Sequence, residues 1–370
     1  MRLPLRAELV GAEPYGAPQD AVEVRLNVNE NPYPVPPEVV DSMARALREV
    51  APGLNRYADR DATELRTALA KYLASESGVE LPAEQIWAAN GSNEVMLHLF
   101  QAYGGAGRTA LSAAPTYSMY HEYARDTGTG WVQTQREADF TLDLDAIARA
   151  LRQHRPSLLL LASPNNPTGT ALPLTQVREL LEATRTSGPD VEGQPSATVV
   201  VIDEAYAEFR REGVPSALTL LADYPHLVVT RTMSKAFSLA GLRLGYCAAN
   251  AQIIRHLQTV RLPYHLSGVT QAVARAALGY APQLLGAVAQ LRQRRDDLVQ
   301  WLRSEGFEVA DSDANFVLFG PFADREDVFE QLRARGILIR VVGPQGWLRA
   351  SVGSESEDAR LRQALKEIRR

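Results

Sequence analysis

One lysine stands among small and hydroxyl residues just after a short apolar run. The run, His226–Thr230, has the composition of a buried strand, and Lys235 follows in the adjoining loop. In open α/β sheets ligands bind beyond the carboxyl ends of the strands, where an amine can form a Schiff base with a carbonyl compound. Nearby side chains could donate to a phosphate: Thr232, Ser234 and Arg243. Taken alone, the stretch could equally be a surface turn with a solvated lysine.

Strands and helices alternate in the segment before this lysine. The apolar patterns predict strands at residues 108–112, 130–135, 157–162 and 197–202, and helices at 117–127, 144–153 and 174–186. Strands separated by helices of this length indicate right-handed βαβ units and a mostly parallel sheet. We therefore expect an α/β fold in which the loops after the strands meet at one edge.

Three further polar segments lie at the ends of predicted strands or in the loops that follow. They are Pro115–Tyr117, Ser163–Gly169 and Asp203–Tyr206. In a doubly wound sheet these segments converge with the Lys235 loop at the carboxyl edge. The predicted site therefore holds an aromatic ring, an amide, a carboxylate, a phenol and an amine. Each group alone has a structural explanation, such as a helix cap, a core tyrosine or a turn.

The combined set suits pyridoxal phosphate. Lys235 supplies the amine for the aldehyde, and a buried Asp203 would keep the pyridine nitrogen protonated, so that the ring can accept electrons. Tyr117 could stack on the ring, and Tyr206 or Asn166 could donate to the ring oxygen.

A second anchor for the cofactor phosphate is predicted at a helix start. Ile86–Glu94 is expected to form a short strand, a glycine turn and the beginning of a helix. Free N–H groups of Ser92 and Asn93 would attract an anion there, although an ordinary helix cap is the alternative. The spacing of Asp61 and Glu64 likewise predicts a capping box at an earlier helix.

The overall composition is that of an ordinary globular protein. The chain has 370 residues, 45% of them hydrophobic and 22% charged, with a formal net charge of −5. No basic stripe favours nucleic acid, no apolar run is long enough for a membrane span, and no signal peptide is evident. A single cysteine, Cys247, fits a reducing cytoplasm. We predict a cytoplasmic protein without a metal site.

The length and a change of pattern near residue 255 suggest two domains and an arm. We predict an N-terminal arm at residues 1–35, a large domain at 36–255 and a small C-terminal domain at 256–370. The small domain is expected to be α+β, with helices across 267–305 and strands at 314–319, 337–340 and 348–351.

These motifs together resemble the class-II pyridoxal-phosphate-dependent aminotransferases of fold type I, over nearly the whole chain. The resemblance rests on Ser163–Gly169, Asp203–Tyr206 and Thr232–Gly245. Within that family the chain is most similar to the histidinol-phosphate aminotransferases. The segments that carry this closer similarity are Leu26–Pro34, Asn55–Tyr57, Pro263–Ser267, Ala314–Phe316 and Trp347–Gly353.

The resemblance implies a mostly parallel sheet between helices, a smaller α+β domain with the arm packed on it, and a homodimer. It makes Lys235 the Schiff-base lysine and proton carrier. The implied cofactor ligands are Ser92, Asn93, Tyr117, Asn166, Asp203, Tyr206, Thr232, Ser234 and Arg243, with Tyr57 from the partner subunit. The implied substrate ligands are Arg349 for the anion, Arg340 as a second anion ligand, and Asn31, Tyr33 and Tyr264 around the pocket.

The implied reaction is reversible transamination between histidinol phosphate and 2-oxoglutarate, which gives imidazole-acetol phosphate and glutamate in histidine biosynthesis. Two arginines in the small domain suit a phosphate better than a carboxylate alone, although Arg340 could instead form a strand-edge ion pair. The alternatives are an aromatic amino acid aminotransferase and a lyase, threonine-phosphate decarboxylase.

Overall fold

The computed structural model describes residues 3–368, and its architecture follows from the order of its strands and helices. The strands of this part of the chain are β1 (Val24–Arg25), β2 (Ile86–Ala89), β3 (Thr109–Ala114), β4 (Gly130–Gln135), β5 (Leu158–Ala162), β6 (Asp190–Val191), β7 (Gln194–Pro195), β8 (Val199–Asp203), β9 (Leu227–Thr232), β10 (Gly245–Ala249), β11 (Glu308–Val309), β12 (Phe316–Gly320), β13 (Ile337–Leu338), β14 (Arg340–Val341) and β15 (Leu348–Ser351). The helices are α1 (Pro37–Val50), α2 (Thr63–Ser77), α3 (Ser92–Tyr103), α4 (Met119–Thr127), α5 (Leu144–His154), α6 (Leu174–Ala183), α7 (Ala251–Val260), α8 (Gly268–Leu278), α9 (Ala281–Leu284), α10 (Val288–Ser304), α11 (Arg325–Ala334) and α12 (Glu355–Ile368). Short 3-10 helices lie at Ala7–Leu9, Ala51–Gly53, Ala83–Gln85, Ala207–Phe209, Ala217–Leu220 and Ala240–Leu242.

The central sheet has seven strands in the order β2-β10-β9-β8-β5-β3-β4. Strands β9, β8, β5, β3 and β4 run parallel to one another, as the alternation of strands and helices predicts. Strand β10 is antiparallel to both β2 and β9, and the sequence analysis did not identify it as a strand. The mostly parallel α/β sheet is therefore confirmed, with one antiparallel strand next to an edge.

The middle strands are buried on both faces, which explains their unbroken apolar sequences. In β5, Leu159 and Leu161 pack into one apolar cluster, whereas Leu158 and Leu160 pack into a second cluster on the opposite face. This two-residue alternation is the normal geometry of a strand. Helices covering both faces keep the sheet dry and leave its carboxyl edge open for a site.

A smaller antiparallel sheet, in the order β11-β12-β15-β14, forms the C-terminal part. The N-terminal arm joins this part through β1, which pairs in parallel with β13, so that Val24 lies opposite Ile337. Val24 and Leu26 are buried in the same apolar cluster as Leu332 and Leu361. The arm thus packs against the C-terminal sheet before it reaches the central sheet.

Helix α10 contributes to the cores of both parts. Val288 and Leu291 belong to the cluster of the central sheet, whereas Leu298 and Leu302 belong to the cluster of the C-terminal sheet. The apolar contacts change partner inside this helix rather than near residue 255, and the boundary at 255 stays a prediction. Residues 1–2 and 369–370, at the ends of the predicted arm and small domain, lie outside the described residues.

None of the helices within residues 3–368 combines the length and the apolar character that crossing a bilayer requires.

Candidate active site

A cavity of about 550 Å³ opens at the carboxyl ends of β5, β8 and β9. The start of α3, the N-terminal arm and strands β14 and β15 complete its walls. Twelve of the predicted site residues line it: Ser92, Asn93, Tyr117, Asn166, Asp203, Tyr206, Thr232, Ser234, Lys235, Arg243, Arg340 and Arg349. The fold therefore brings together side chains that are up to 257 positions apart in the printed sequence.

The amine of Lys235 is held in a defined position by the arm. Its Nζ donates a hydrogen bond of 2.8 Å to the backbone oxygen of Val28. Burial lowers the pKa of Lys235 to about 8, and the positive charges of Arg349 and Arg243 act in the same direction. A substantial fraction of the amine is then neutral slightly above neutral pH, as a nucleophile or a proton acceptor requires.

Asp203 is a buried carboxylate at the end of β8 with two hydroxyl donors. Tyr120 donates to its Oδ2 at 2.7 Å, and Thr230 donates to its Oδ1 at 2.9 Å. Burial raises the pKa of Asp203 although both hydrogen bonds favour the ionised form. A cation opposite this carboxylate would offset the desolvation, so the site suits a protonated ring nitrogen. Neither Tyr120 nor Thr230 is among the site residues predicted from the sequence.

Tyr206 presents its hydroxyl to two amides inside the cavity. Asn29 Nδ2 lies 3.0 Å from the hydroxyl oxygen, and Asn166 Nδ2 lies 3.5 Å from it. The ring packs edge-on against Phe316, with 5.0 Å between the ring centroids. These contacts fix the phenol while leaving its hydroxyl hydrogen free to donate to a ligand.

The start of α3 and the Lys235 loop form a cradle of hydrogen-bond donors. Gly91 precedes α3 with a φ of 81°, and a Cβ atom there would lie 2.6 Å from Nη2 of Arg243. A Cβ atom at Gly245 would overlap the backbone nitrogen of Ser92. The position of Gly91 favours glycine because of its positive φ, and that of Gly245 requires glycine because β10 approaches the backbone of the helix start so closely. The resulting group of N–H, hydroxyl and guanidinium donors fits a phosphate.

Arg349 lies on β15 and reaches the cavity from the C-terminal sheet. Its Nη1 donates to Asn166 Oδ1 at 2.5 Å, and its Nη2 donates to the backbone oxygen of Asn27 at 2.7 Å. Nε is buried and has no partner within residues 3–368. Burial lowers the pKa of Arg349 to about 10, so the group is still a cation at neutral pH. A buried cation with an unused donor is suited to bind an anion.

Arg340 places a second guanidinium near the first. It pairs in register with Arg349 across β14 and β15, and its Nη2 donates to the backbone oxygen of Gly16 at 3.2 Å. Within the described part of the chain no carboxylate forms an ion pair with Arg340. The alternative of a strand-edge ion pair therefore finds no support in this chain.

Comparison with known proteins identifies the family. The model of the family "Aminotransferase class I and II" matches residues 21–368. This chain belongs to the class I and II aminotransferases. It is 58% identical to a histidinol-phosphate aminotransferase of Thermobifida fusca, over 98% of this chain and 95% of the relative. A histidinol-phosphate aminotransferase of Bifidobacterium longum is 54% identical, over 100% and 97% of the two chains.

Solved structures of other aminotransferases share the fold. Histidinol-phosphate aminotransferase from Sinorhizobium meliloti, in complex with pyridoxal-5'-phosphate, superimposes with a TM-score of 0.85 at 23% identity, over 99% of this chain and 98% of that one. A double mutant of Thermus thermophilus aspartate aminotransferase gives a TM-score of 0.81 at 25% identity, over 100% and 99%. The expected fold type of this aminotransferase is thereby confirmed.

Four predicted site residues of the aminotransferase do not line the cavity of the single chain. Asn31 donates from Nδ2 to the backbone oxygen of Ala236 at 3.2 Å and accepts the backbone N–H of Tyr33 at 3.0 Å. Tyr33 packs against the apolar cluster of the central sheet. In the single chain both residues thus fix the arm, and their role in the substrate pocket stays a prediction. Tyr57 is 81% exposed and stacks on Tyr264, with 4.3 Å between ring centroids.

Other residues of the arm enter the cavity of this aminotransferase in their place. Tyr15, Asn27, Asn29 and Glu30 all line it. Asparagines at positions 27, 29 and 31 of the sequence indicate amides near the site, and in the single chain it is Asn27 and Asn29 that line the cavity. Tyr120 could have been found because it lies three positions after Tyr117, on the same side of a helical turn.

Proposed function

We propose that this aminotransferase transfers an amino group between histidinol phosphate and 2-oxoglutarate, with pyridoxal phosphate as its cofactor. The products are imidazole-acetol phosphate and glutamate, and the reaction belongs to histidine biosynthesis. The observation that carries the proposal is one cavity lined by Lys235, Asp203 and Arg349. The names of the two relatives at 58% and 54% identity support the choice of substrate.

The cavity offers a partner for each part of the cofactor. Bound pyridoxal phosphate supplies an aldehyde and an electron-withdrawing ring that stabilises negative charge on the substrate carbon. Lys235 Nζ would hold the aldehyde, and Asp203 would pair with the ring nitrogen. Tyr117, Tyr206 and Asn166 line the cavity. Tyr117 would stack on the ring, and Tyr206 and Asn166 would donate to the ring oxygen. The donor cradle at α3 would hold the phosphate.

Lys235 is also the group best placed to move a proton. Once a substrate occupies the cavity, Nζ can take the proton from the carbon that carries the substrate's amino group. A pKa of about 8 lies near the working pH, which is where proton transfer by a side chain is most efficient. The backbone oxygen of Val28, 2.8 Å away, holds the amine in place between transfers.

Both substrates carry an anion that Arg349 can receive. Glutamate offers a carboxylate and histidinol phosphate a phosphate, and a planar guanidinium can form two parallel hydrogen bonds with either group. Arg340, on the neighbouring strand, adds a second cation for the larger charge of the phosphate. The alternate use of one anion site by two substrates agrees with ping-pong kinetics.

We further propose a homodimer in which Tyr57 reaches the site of the partner subunit. In its own chain Tyr57 lies on the surface, stacked on Tyr264 and away from the cavity. Leu54 and Leu262 are exposed at 51% and 73% in the same two loops. A cluster of exposed apolar side chains around a tyrosine pair favours an interface at this surface.

The test is an amino-transfer assay of the purified protein with three amino donors: histidinol phosphate, phenylalanine and threonine phosphate, each with 2-oxoglutarate. We expect kcat/KM to be highest with histidinol phosphate, with glutamate formed in equal amount. Higher kcat/KM with phenylalanine would instead indicate an aromatic amino acid aminotransferase. Release of carbon dioxide from threonine phosphate without glutamate would indicate the lyase.

A further inference from the structure

A buried cluster of charges lies on the other side of the strands that carry the cavity residues. In β9, Thr230 donates to Asp203 and Thr232 lines the cavity, while Arg231 between them contacts Glu204. This is the alternation expected of a strand. Five side chains, called the reverse-face cluster below, meet there: Glu76, Glu204, Glu208, Arg210 and Arg231.

Arg231 is the centre of the reverse-face cluster. Its Nε and Nη2 lie 2.8 Å and 2.7 Å from Oε2 of Glu204. Its Nη1 lies 3.3 Å from Glu208, and its Nη2 lies 3.3 Å from Glu76. The side chain is 1% exposed, so water cannot replace any of these contacts. Removal of Arg231 would leave Arg210 as the only cation for three carboxylates of the cluster.

Glu204 is ionised because of these cations. Burial works against its charge, but Arg231 and Arg210, together with two hydrogen bonds, outweigh burial and hold the pKa of Glu204 below its ordinary value. Ser216 Oγ donates to Glu204 at 2.7 Å and the N–H of Ala217 donates at 2.8 Å. The carboxylate is therefore a fixed negative charge on the residue directly after Asp203.

This negative charge acts on the active site. Burial raises the pKa of Asp203, and the charge of Glu204 raises it further. Arg231 contacts Glu204 and offsets its charge, because the electrostatic effects of two opposite charges in contact largely cancel at groups further away. Strands β8 and β9 also lie in register here, with Asp203 opposite Thr230. The same ion pair therefore fixes the strand ends that carry the cavity residues.

We propose that Arg231 is a positioning residue of the active site, which neutralises Glu204 from the reverse face of the sheet and so keeps Asp203 ionised and fixed for the ring nitrogen of the cofactor. This inference rests on the proposed function, since it assumes pyridoxal phosphate in the cavity. It concerns the charge on Asp203 and not the choice of substrate.

The test compares Arg231→Met, Glu204→Gln and the double variant, because the double variant restores the formal charge of the reverse-face cluster. The dissociation constant of pyridoxal phosphate is measured on apoprotein by equilibrium dialysis from pH 6 to 9. For Arg231→Met we expect weaker affinity than in the wild type at the acidic end of this range, by about tenfold for each unit by which the pKa of Asp203 rises within it. The loss of affinity on acidification should begin at a higher pH than in the wild type.

The other two variants separate charge from packing. Glu204→Gln should lower the thermal midpoint without moving the loss of cofactor affinity to higher pH, because it removes a negative charge beside Asp203 and leaves the cation of Arg231 in place. The double variant should return to within about threefold of wild-type affinity, since the two missing charges offset each other. If Arg231→Met and the double variant lose the same cofactor affinity and share the same pH profile, Arg231 only packs the fold. That result would overturn the proposal.

A conservative variant covers the case in which Arg231→Met does not fold. Arg231→Lys keeps the charge but cannot contact three carboxylates, so we expect a lower thermal midpoint with the wild-type pH profile of cofactor binding. A profile shifted towards higher pH in Arg231→Lys would contradict the proposal. A wild type that binds pyridoxal phosphate but does not transaminate histidinol phosphate would refute the proposed function while leaving this inference standing.

Discussion

Replacement of Arg349 by lysine tests the anion site most directly. The guanidinium uses Nη1 for Asn166 and Nη2 for the backbone of Asn27, which leaves the buried Nε and the second hydrogens of both Nη atoms for a ligand. Its Cζ also lies 5.1 Å from the ring centroid of Phe316, which supports the plane of the group. Lysine offers one nitrogen, so it cannot keep both protein contacts and bind an anion through two parallel bonds.

The size of the effect follows from the hydrogen bonds that are lost. Hydrogen bonds to charged groups are worth about 1.5–3 kcal/mol each. Loss of one or two of them should reduce kcat/KM on the order of tenfold to a thousandfold or more. Both substrates should suffer, because glutamate and histidinol phosphate use Arg349 in turn. Cofactor affinity should stay close to that of the wild type, since Arg349 is not among the proposed cofactor ligands.

Single-turnover kinetics of each half-reaction is the appropriate assay, because it separates the two substrates. Arg349→Lys and Arg349→Ala are compared with the matched control Arg340→Lys, which changes the neighbouring guanidinium in the same way. If glutamate reacts slowly with Arg349→Lys while histidinol phosphate reacts normally, the two anions do not share a site. Arg340 would then be the first candidate for the phosphate, and a selective loss with histidinol phosphate in the control would identify it.

Four further outcomes are expected. Lys235→Ala should lose nearly all turnover and the borohydride-sensitive visible band, and normal turnover in this variant would refute its role. Asp203→Ala should still bind cofactor but turn over far more slowly. A near-normal rate in steady-state kinetics would contradict this prediction. Mixing the Tyr57→Ala and Lys235→Ala proteins should restore part of the activity in heterodimers. If light scattering shows that the fully active protein is a monomer, the shared site is excluded. Folding lowers the pKa of Lys235 from 10.5 to about 8, so between these pH values the amine of the unfolded chain binds a proton that the folded chain lacks. The free energy of unfolding of the apoprotein should therefore rise from about pH 8 to 10.5. Denaturant unfolding would measure this rise, which Lys235→Ala should lack.

The sequence predicts well those elements that local pattern determines. The sequence pattern predicts β4 and β15 with the bounds that the structure has. Elsewhere tertiary contacts determine which segments form strands. β10 is short and begins inside a loop motif, so nothing local marks it as a strand between β2 and β9.

The backbone conformation of two loops explains what spacing could not predict. Asp61 and Glu64 have the spacing of a capping box, yet Ala62 adopts a left-handed conformation and Asp59 accepts the N–H of Thr63 at 2.7 Å instead. In the arm, Asn29 has a φ of 56°, which interrupts the regular alternation of side chains along an extended segment. Spacing alone therefore cannot tell which asparagine of the arm faces the cavity. The side chains at the strand ends were predictable because the parallel topology brings those ends together.

The arm also determines when the site can be completed during synthesis. The backbone N–H of Asn29 donates to Ser351 Oγ at 2.8 Å, and Asn27 receives Arg349, each contact joining residues 322 positions apart. At ribosomal rates of about 5–20 residues per second, the first segment to emerge waits roughly 15 to 65 seconds for its partners. Closing so long a loop is an entropic cost that only the finished chain can offset. The anion site is consequently among the last parts of the protein to form.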